Sequence, residues 1–306
     1  MKPVVRRGPH WLTSHMQLEL TDDPAAFLAA TQEHLAADPV VTTVIASVTA
    51  RMARDAARAE APYRWWAIAR DDAGAVTGVG MRTAPFAPYP VYLLPMPDDA
   101  AAALARVLHE RDEPVGGVNG ALAATRAFAD EYARLSGGQA VVDEHLRLFE
   151  LGELVVPPAP PGRLRAATRA DAQLCLEWFF AFGRDAAEQA GREGSHAMAE
   201  FTIDDIRVRI DDDLFWLWED EAGEVVHLTG ANPPANGVVR IGPVYTPKAH
   251  RGQGYASRAV AEVSRQYLDQ GVRCCLFTDQ ANPTSNRIYE ALGYRPVTDM
   301  VNQVIP

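Results

Sequence analysis

The residues best suited to chemistry lie between positions 238 and 294. A strand-like run over 238–246 leads into the turn Arg251–Ala256, and apolar residues then recur at helical spacing. The first amides of a helix lack internal hydrogen-bond partners and lie at the positive end of its dipole. The turn is therefore predicted to hold a pyrophosphate group, with its glycines allowing close backbone approach and Arg251 adding a charged contact.

An isolated turn of this composition is also compatible with a surface loop whose glycines are incidental. The strand before the turn and the amphipathic helix after it favour the anion site. Other phosphate loops are excluded, because the chain has no Gly-x-x-x-x-Gly-Lys-Ser/Thr segment. Neither Gly78-Val79-Gly80 nor 116–120 completes the spaced glycines of a dinucleotide fingerprint. Nucleoside triphosphate and nicotinamide chemistry are therefore not expected.

A second segment, 282–294, supplies a candidate proton donor. Asn282 before Pro283 predicts a helix N-cap, and Gly293 predicts the end of the same helix. Tyr289 is seven residues after Asn282, so it falls on the same helical face two turns later. Capping alone could explain Asn282 and Gly293, and a helical tyrosine is often a half-buried packing residue. The alternative is that Tyr289 protonates a leaving group.

Together the two segments resemble the GNAT superfamily of N-acetyltransferases. The signature Arg/Gln-x-x-Gly-x-Gly/Ala matches Arg251, Gly254 and Ala256. The later signature Asn-x-x-Ser/Ala-x-x-Leu/Ile-Tyr-x-x-x-Gly-Phe/Tyr matches Asn282, Ser285, Ile288, Tyr289, Gly293 and Tyr294. The resemblance is sharp over 238–294 and extends back to about Arg163.

The resemblance implies transfer of an acetyl group from acetyl-CoA to a primary amine, by direct attack in a ternary complex. The amine would belong to a small molecule, a peptide or a protein, and acetyl is the default acyl group. A backbone amide of 244–246 would stabilise the oxyanion, and Tyr289 would be the general acid. The implied cofactor-binding residues are Val244, Tyr245, Thr246, Arg251, Gly252, Gln253, Gly254, Tyr255, Ala256, Asn282 and Ser285.

The sequence does not identify the general base. Relatives often place a glutamate on the central strand, but 238–246 contains no acidic residue. His227 and Glu219, on the two preceding predicted strands, are the nearest candidates, and deprotonation through water is an equal alternative. His227 could equally be a structural histidine. The three cysteines are predicted to be small core residues rather than nucleophiles.

Composition limits the possible partners, metal sites and location of the protein. The chain has 306 residues, 48% hydrophobic and 23% charged, with a net charge of −11 that argues against a nucleic-acid partner. No apolar run approaches a membrane span, and no secretory signal pattern opens the chain. Three cysteines without metal-like spacing suggest a reducing compartment and no metal site. A cytoplasmic enzyme is expected, and monomer and homodimer are not distinguished.

The proline-rich stretch 157–162 is predicted to be a linker between two similar halves. The predicted fold is α/β with an α+β mixed sheet: two tandem GNAT-like domains, each a mostly antiparallel splayed sheet flanked by helices. Residues 16–156 would be a degenerate copy that walls the acceptor cleft, and 163–306 the acetyl-CoA-binding domain. In the first copy, Pro95-Met96-Pro97-Asp98-Asp99 replaces the phosphate turn with acids and no glycine. Residues 1–15 are interpreted as an irregular tail or a vector remnant.

Hydrophobic periodicity predicts the remaining elements. Predicted helices are near 24–36, 40–58, 98–111, 120–135, 169–182 and 197–210. Predicted strands are near 64–69, 75–83, 90–94, 114–115, 139–149, 214–218, 224–230 and 238–246.

No sequence motif identifies the residues of the acceptor pocket. Six aromatic residues are candidates to line it, although packing is favoured for most: Trp178, Phe179, Phe180, Phe182, Trp216 and Trp218. A second function class, a non-catalytic acyl-CoA sensor or interaction module, would need the turn but not Tyr289.

Overall fold

The computed structural model describes residues 10–13, 16–54, 63–84, 87–189, 191 and 201–306. The chain divides into two compact units. Unit 1 contains residues 1–146 and 299–306, and unit 2 contains residues 147–298. This division differs from the sequence-based boundaries because the chain returns to unit 1 at its end.

The elements that start in the first half are β1 (His10–Thr13), β2 (Met16–Thr21), α1 (Pro24–Ala37), α2 (Thr43–Arg54), β3 (Trp65–Arg70), β4 (Val76–Arg82), β5 (Val91–Leu93), α3 (Asp98–Glu110), β6 (Gly117–Ala121), α4 (Leu122–Ser136) and β7 (Val141–Leu151). Strands β1 to β6 are neighbours in chain order. Among the pairs that these six strands form with one another, β5–β6 is parallel and the others are antiparallel. Helices α3 and α4 pack on one face of this sheet around Phe128 and Leu104.

The second half contains β8 (Arg163–Ala166), α5 (Ala172–Gln189), α6 (Ile203–Asp211), β9 (Phe215–Glu219), β10 (Val225–Ala231), β11 (Val238–Tyr245), α7 (Tyr255–Leu268), β12 (Arg273–Asp279), α8 (Pro283–Ala291) and β13 (Tyr294–Val304). Its strand order is β12-β11-β10-β9-β8. Strands β11 and β12 run parallel, and the other pairs are antiparallel.

The two halves repeat one order of elements. From β2 to β7 and from β8 to β13, the chain runs β-α-α-β-β-β-α-β-α-β, and the fourth and fifth strands are the parallel pair in both. The predicted fold class, two tandem copies of a mixed, mostly antiparallel sheet flanked by helices, is confirmed.

The two faces of the sheet in unit 2 are covered by different helices. Successive residues of β9 point to opposite faces. Trp216 therefore packs with α7 and α8, whereas Leu217 packs with α5 and α6. Trp216 and Trp218 are both buried, against Tyr267 and Tyr255 of α7, so these two tryptophans pack in the core as favoured above.

The final strand of each repeat spans the boundary between units. The end of β7 from Arg147 belongs to unit 2, and the end of β13 from Asp299 belongs to unit 1. There, Met300–Val304 form five residue pairs with β6, and the buried Ile305 joins the core of α3 and α4. This supplies β6 with a partner, because an unpaired strand edge would leave a row of backbone groups without hydrogen bonds.

Several predicted elements require correction. The strand predicted near Pro114-Val115 begins instead at Gly117. Side chains hold the backbone there: Arg82 donates to the Pro114 carbonyl, and the Val115 amide donates to the Tyr132 hydroxyl over 3.0 Å. The helix predicted from 120 begins at Leu122 because β6 extends through Ala121. Strands β2, β8 and β13 were not predicted.

The interpretation of residues 1–15 as irregular is wrong at 10–13, which form β1 and pair with β2. The rest of that segment, and the predicted helical residues 55–58 and 197–200, lie outside the described residues.

Replacing Ile305 with alanine tests whether the chain end belongs to the core of unit 1. Ile305 is 5% exposed, so Ile305→Ala is expected to lower the free energy of unfolding by about 2–5 kcal/mol through lost burial and a cavity. Val297 is 40% exposed in β13, the strand that precedes Ile305, and Val297→Ala is expected to change the free energy of unfolding by less than about 0.5 kcal/mol. Denaturant unfolding measures both; equal effects would contradict the placement of Ile305.

Candidate active site

The site begins where two parallel strands separate. Strands β11 and β12 form only three residue pairs: Val238 with Arg273, Val239 with Cys274 and Arg240 with Cys275. On its other edge β11 stays paired with β10 as far as Tyr245. From Ile241 onward, the edge of β11 on the side of β12 is therefore not paired with β12. Backbone groups require partners, so this edge can accept an extended ligand as an added strand.

The turn after β11 presents free amides. Gly252 and Gly254 have φ of 80° and 86°, the left-handed region that favours glycine. Gly254 is the N-cap of α7, and no side-chain cap accepts a hydrogen bond from the first amides of the helix within the described residues. A Cβ at either glycine would meet no atom within 4 Å, so these glycines border open space. The turn therefore has the free donors and the helix-end dipole that an anion needs.

The cations beside this turn are already paired. The Arg251 guanidinium donates to the Thr246 carbonyl over 2.9 Å and to Asp185 over 2.6 Å. Lys248 donates to Glu188 over 2.6 Å, and this hydrogen bond lowers the pKa of Glu188. Asp185 and Glu188 belong to the last two turns of α5 and were missed by sequence reasoning. The acids are 60 residues or more from their partners along the chain, and no local pattern marks them.

The second motif forms the predicted cap. The Asn282 side chain accepts a hydrogen bond from the Ser285 amide over 3.1 Å, with Pro283 at the first helical position. Gly293 follows α8 with φ of 98°. The side-chain Nδ2 of Asn282 donates to Oε1 of Gln189 at the end of α5 over 3.1 Å. The capping prediction is confirmed, and α8 is fixed at the end of β12.

Tyr289 is enclosed in the core on the α7 side of the sheet. It is 8% exposed and shares its cluster with Ile241 of β11, while its ring lies edge-on to Tyr294 at 6.0 Å. Burial raises the pKa of Tyr289 above its usual value, so the phenol keeps its proton at neutral pH. None of the described residues hydrogen-bonds its hydroxyl. The hydroxyl is therefore not committed to another described side chain.

His227 has the geometry of a structural histidine. It is fully buried, with Nδ1 2.8 Å from the Thr246 hydroxyl and Nε2 2.7 Å from the Thr229 hydroxyl. Desolvation lowers its pKa to about 3, so the ring is neutral. Both nitrogens are occupied, and the Thr246 side chain is turned toward the histidine. His227 therefore positions Thr246 rather than contacting a substrate.

Glu219 also lacks the geometry of a base. It accepts hydrogen bonds from Arg163 over 3.0 Å and from Arg165, and these hydrogen bonds, that of Arg165 foremost, lower its pKa. Its strand, β9, is separated from β11 by β10. A carboxylate held by two guanidinium groups is a poor proton acceptor. Glu219 was a candidate because β9 lies shortly before the central strand β11 in sequence. The two strands are not neighbours in the sheet.

The cysteines are core residues, as predicted. Cys175, Cys274 and Cys275 are free and fully buried, and burial raises the pKa of both Cys175 and Cys274 to about 12. Thiols with so high a pKa are not nucleophiles at neutral pH. Across 16–54, 63–84, 87–189 and 201–306, no group of three or more His, Cys, Asp or Glu could hold a metal ion.

A pocket of about 380 Å³ lies beside the first turns of α7 and α8. Its polar lining comes from Ser257, Thr284 and Arg287. Its apolar lining comes from Val155, Pro157, Ile288, Ala291 and Leu292. The pocket thus combines an apolar wall with one guanidinium group, and Ser257 is its lining residue from α7.

Unit 1 lacks these features at the matching place. All three residues of β5 are paired with β6, and a Cβ at Gly120 would lie 1.9 Å from the Leu93 carbonyl oxygen. The strands are therefore in close contact and leave no gap. Helix α3 starts after Pro97 with Asp98 and Asp99 in its first turn, where acids oppose an anion.

Residues 175–294 match the model of the Acetyltransferase (GNAT) family. These residues are a GNAT acetyltransferase domain. The match contains every predicted site residue and confirms the family suggested by the two motifs. The domain supports an acyltransferase.

Solved structures extend the likeness to nearly the whole chain. A GCN5-related N-acetyltransferase from Sphaerobacter thermophilus is 16% identical with a TM-score of 0.58, and the match covers 96% of each chain. One from Kribbella flavida is 20% identical with a TM-score of 0.52, covering 86% of this chain and 96% of that chain. A tandem GNAT protein from the clavulanic acid biosynthesis pathway is 12% identical with a TM-score of 0.56, covering 94% of this chain and 98% of that chain.

At such identities the likeness shows the fold, a tandem GNAT fold, and not the substrate. No curated protein sequence is significantly similar to this chain. No helix in the described part of the chain is long and apolar enough to cross a membrane.

The structural role of His227 predicts a pH effect on the stability of the GNAT domain. Its pKa is about 3 in the fold against an ordinary value of 6.5, so only the unfolded chain takes up this proton between those values. The contribution is present above about pH 6.5 and is lost as the pH falls toward 3. Between pH 7 and pH 5, the wild type should lose about 1–2 kcal/mol more unfolding free energy than His227→Gln.

Denaturant unfolding at both pH values measures this difference. Parallel losses in the two proteins would show that His227 titrates normally in the fold.

Proposed function

We propose that this chain is an N-acetyltransferase that moves the acetyl group of acetyl-CoA to a primary amine of a small molecule, a peptide or a protein. The observation that carries the proposal is the convergence of an open edge of β11, the uncapped amides of α7 and the buried, protonated Tyr289 in one domain. A thioester donor with a diphosphate needs all three.

The donor is proposed to bind along three successive parts of the site. Its diphosphate takes the amides of 252–256 and the Arg251 side chain. Its pantetheine extends the sheet along Val244–Thr246, near Asn282 and Ser285 at the start of α8. Its nucleotide end enters the pocket between α7 and α8, where Arg287 is the charged partner for a phosphate.

The reaction is proposed to be a direct transfer. A neutral amine attacks the thioester carbonyl carbon, and the oxygen that becomes negative accepts a hydrogen bond from a backbone amide of 244–246. The carbon–sulfur bond breaks, and Tyr289 gives its proton to the departing sulfur. The proton lost by the amine passes to water, since neither His227 nor Glu219 is free to accept it. Water then returns a proton to Tyr289.

Unit 1 is proposed to be a copy without donor binding, because β5 and β6 stay paired and α3 starts with two acids. The three free cysteines fit a reducing compartment such as the cytoplasm.

Tyr289→Phe tests the catalytic assignment. The ring packing is kept and only the proton donor is lost, so turnover of acetyl-CoA with a responsive amine should fall about 100-fold or more. Tyr294→Phe is the matched control, because it removes a neighbouring buried hydroxyl that bonds Ser264, and the family signature accepts phenylalanine there. Thiol release measures turnover, and calorimetry measures CoA binding.

Persisting CoA binding with lost turnover supports the enzyme. Unchanged turnover in Tyr289→Phe removes Tyr289 from the mechanism. A wild type that binds CoA but acetylates no amine would favour the sensor alternative.

Arg287→Ala tests the placement of the nucleotide end. If Arg287 pairs with the 3′-phosphate of CoA, the substitution should weaken CoA binding about tenfold. This is the cost of losing one charged contact that is partly exposed to solvent. Binding of 3′-dephospho-CoA, which lacks that group, should not change. Arg265→Ala, in the last turn of α7, is the control for a lost positive charge. Equal losses for both ligands would remove the phosphate from the pocket.

A further inference from the structure

The end of α5 lies against Arg251, the cation of the proposed diphosphate site, and against Lys248 three residues before it. Asp185 is 2.6 Å from the Arg251 guanidinium and 3.9 Å from the Lys248 ammonium. It also accepts a hydrogen bond of 3.5 Å from the Tyr245 hydroxyl at the end of β11. One carboxylate thus contacts a strand end and both cations of the turn.

The next turn of the helix continues the contact. Glu188 is 2.6 Å from Lys248, and Gln189 accepts a hydrogen bond from Asn282 over 3.1 Å. Lys248 and Arg251 follow β11, whereas Asn282 follows β12. The helix end therefore bridges the two strand ends between which the cleft opens.

The contacts compete chemically with a phosphate. A guanidinium donates to carboxylate and phosphate oxygens with the same pair of N–H groups, so it cannot satisfy both fully. An unpaired carboxylate left beside a bound diphosphate would also repel it. Binding of the donor must therefore displace Asp185 and Glu188, or share the cations with them.

The strength of the contacts fits a reversible closure. Asp185 and Arg251 have side chains 17% and 39% exposed, whereas Glu188 and Lys248 are 69% and 57% exposed. An ion pair as exposed as Glu188–Lys248 is weak, so a ligand with several negative charges can break it. The apparent dissociation constant of a ligand equals its intrinsic constant divided by the fraction of molecules in which these ion pairs are broken.

The geometry points to an internal competitor: the carboxylates of Asp185 and Glu188 occupy the diphosphate site as an intramolecular latch, which a CoA thioester must displace. The latch rests on the proposed function, because it needs a diphosphate to bind at the α7 turn. It selects for donors that carry the diphosphate. A thioester with pantetheine alone has no group to replace the carboxylates on Arg251 and Lys248.

The test compares the wild type with Asp185→Asn/Glu188→Gln, which keeps side-chain size and removes both charges. Calorimetry with CoA and with S-acetylpantetheine measures the dissociation constants. The variant should bind CoA about three- to tenfold more tightly and bind S-acetylpantetheine with unchanged affinity. The control for a change of net charge is Glu177→Gln/Glu221→Gln, two exposed acids of which one lies on α5; it should leave both constants unchanged.

CoA binding that is equal or weaker in the Asp185→Asn/Glu188→Gln variant overturns the latch while the proposed function stands. A tighter constant for both ligands, or the same gain in the control variant, also overturns it. If neither protein binds CoA, the proposed function itself fails, which is a separate result.

Hydrogen exchange supplies a second readout without substitution. Amides of 181–189 in the wild type should exchange faster when CoA is added, because the helix end loses its partners. Slower exchange there would show that CoA and the helix end bind together, against the latch.

Discussion

The site depends on one backbone constraint. Parallel strands β11 and β12 stop pairing after Arg240 and Cys275, so the polar groups of the following residues need other partners. The amides that begin α7 have the same need, since Gly254 offers no capping side chain. A ligand with an extended amide chain and a diphosphate meets both needs at once. Tyr289, the proposed proton donor, lies in the same cluster of buried side chains as Ile241 of β11.

The two repeats show what that constraint requires. In unit 1, β5 is three residues long and paired throughout, and Gly120 allows the Leu93 carbonyl to approach closely. Acids rather than glycines then begin the next helix. The same order of elements therefore yields a closed sheet in one copy and an open one in the other. Fold and chemistry are separable here: the fold is repeated, but the binding geometry depends on a few residues after the fourth strand.

Local patterns predicted the local parts of the site. The glycines of the turn, the Asn282 cap and the periodicity of α7 act within a few residues, so the sequence contains them. The contacts of Asp185 and Glu188, the passage of β13 into unit 1 and the two hydrogen bonds of His227 join distant segments, and no short pattern encodes them. Glu219 shows the converse case: it is near the central strand in sequence, but β10 lies between its strand and β11 in the sheet.

The most direct measurement is a crystal structure of the protein with acetyl-CoA. The account predicts phosphate oxygens within hydrogen-bond distance of the backbone amides between Gly252 and Ala256, the pantetheine beside Val244–Thr246, and the sulfur within reach of the Tyr289 hydroxyl. A thioester bound away from the start of α7, or with its sulfur directed away from Tyr289, would contradict it.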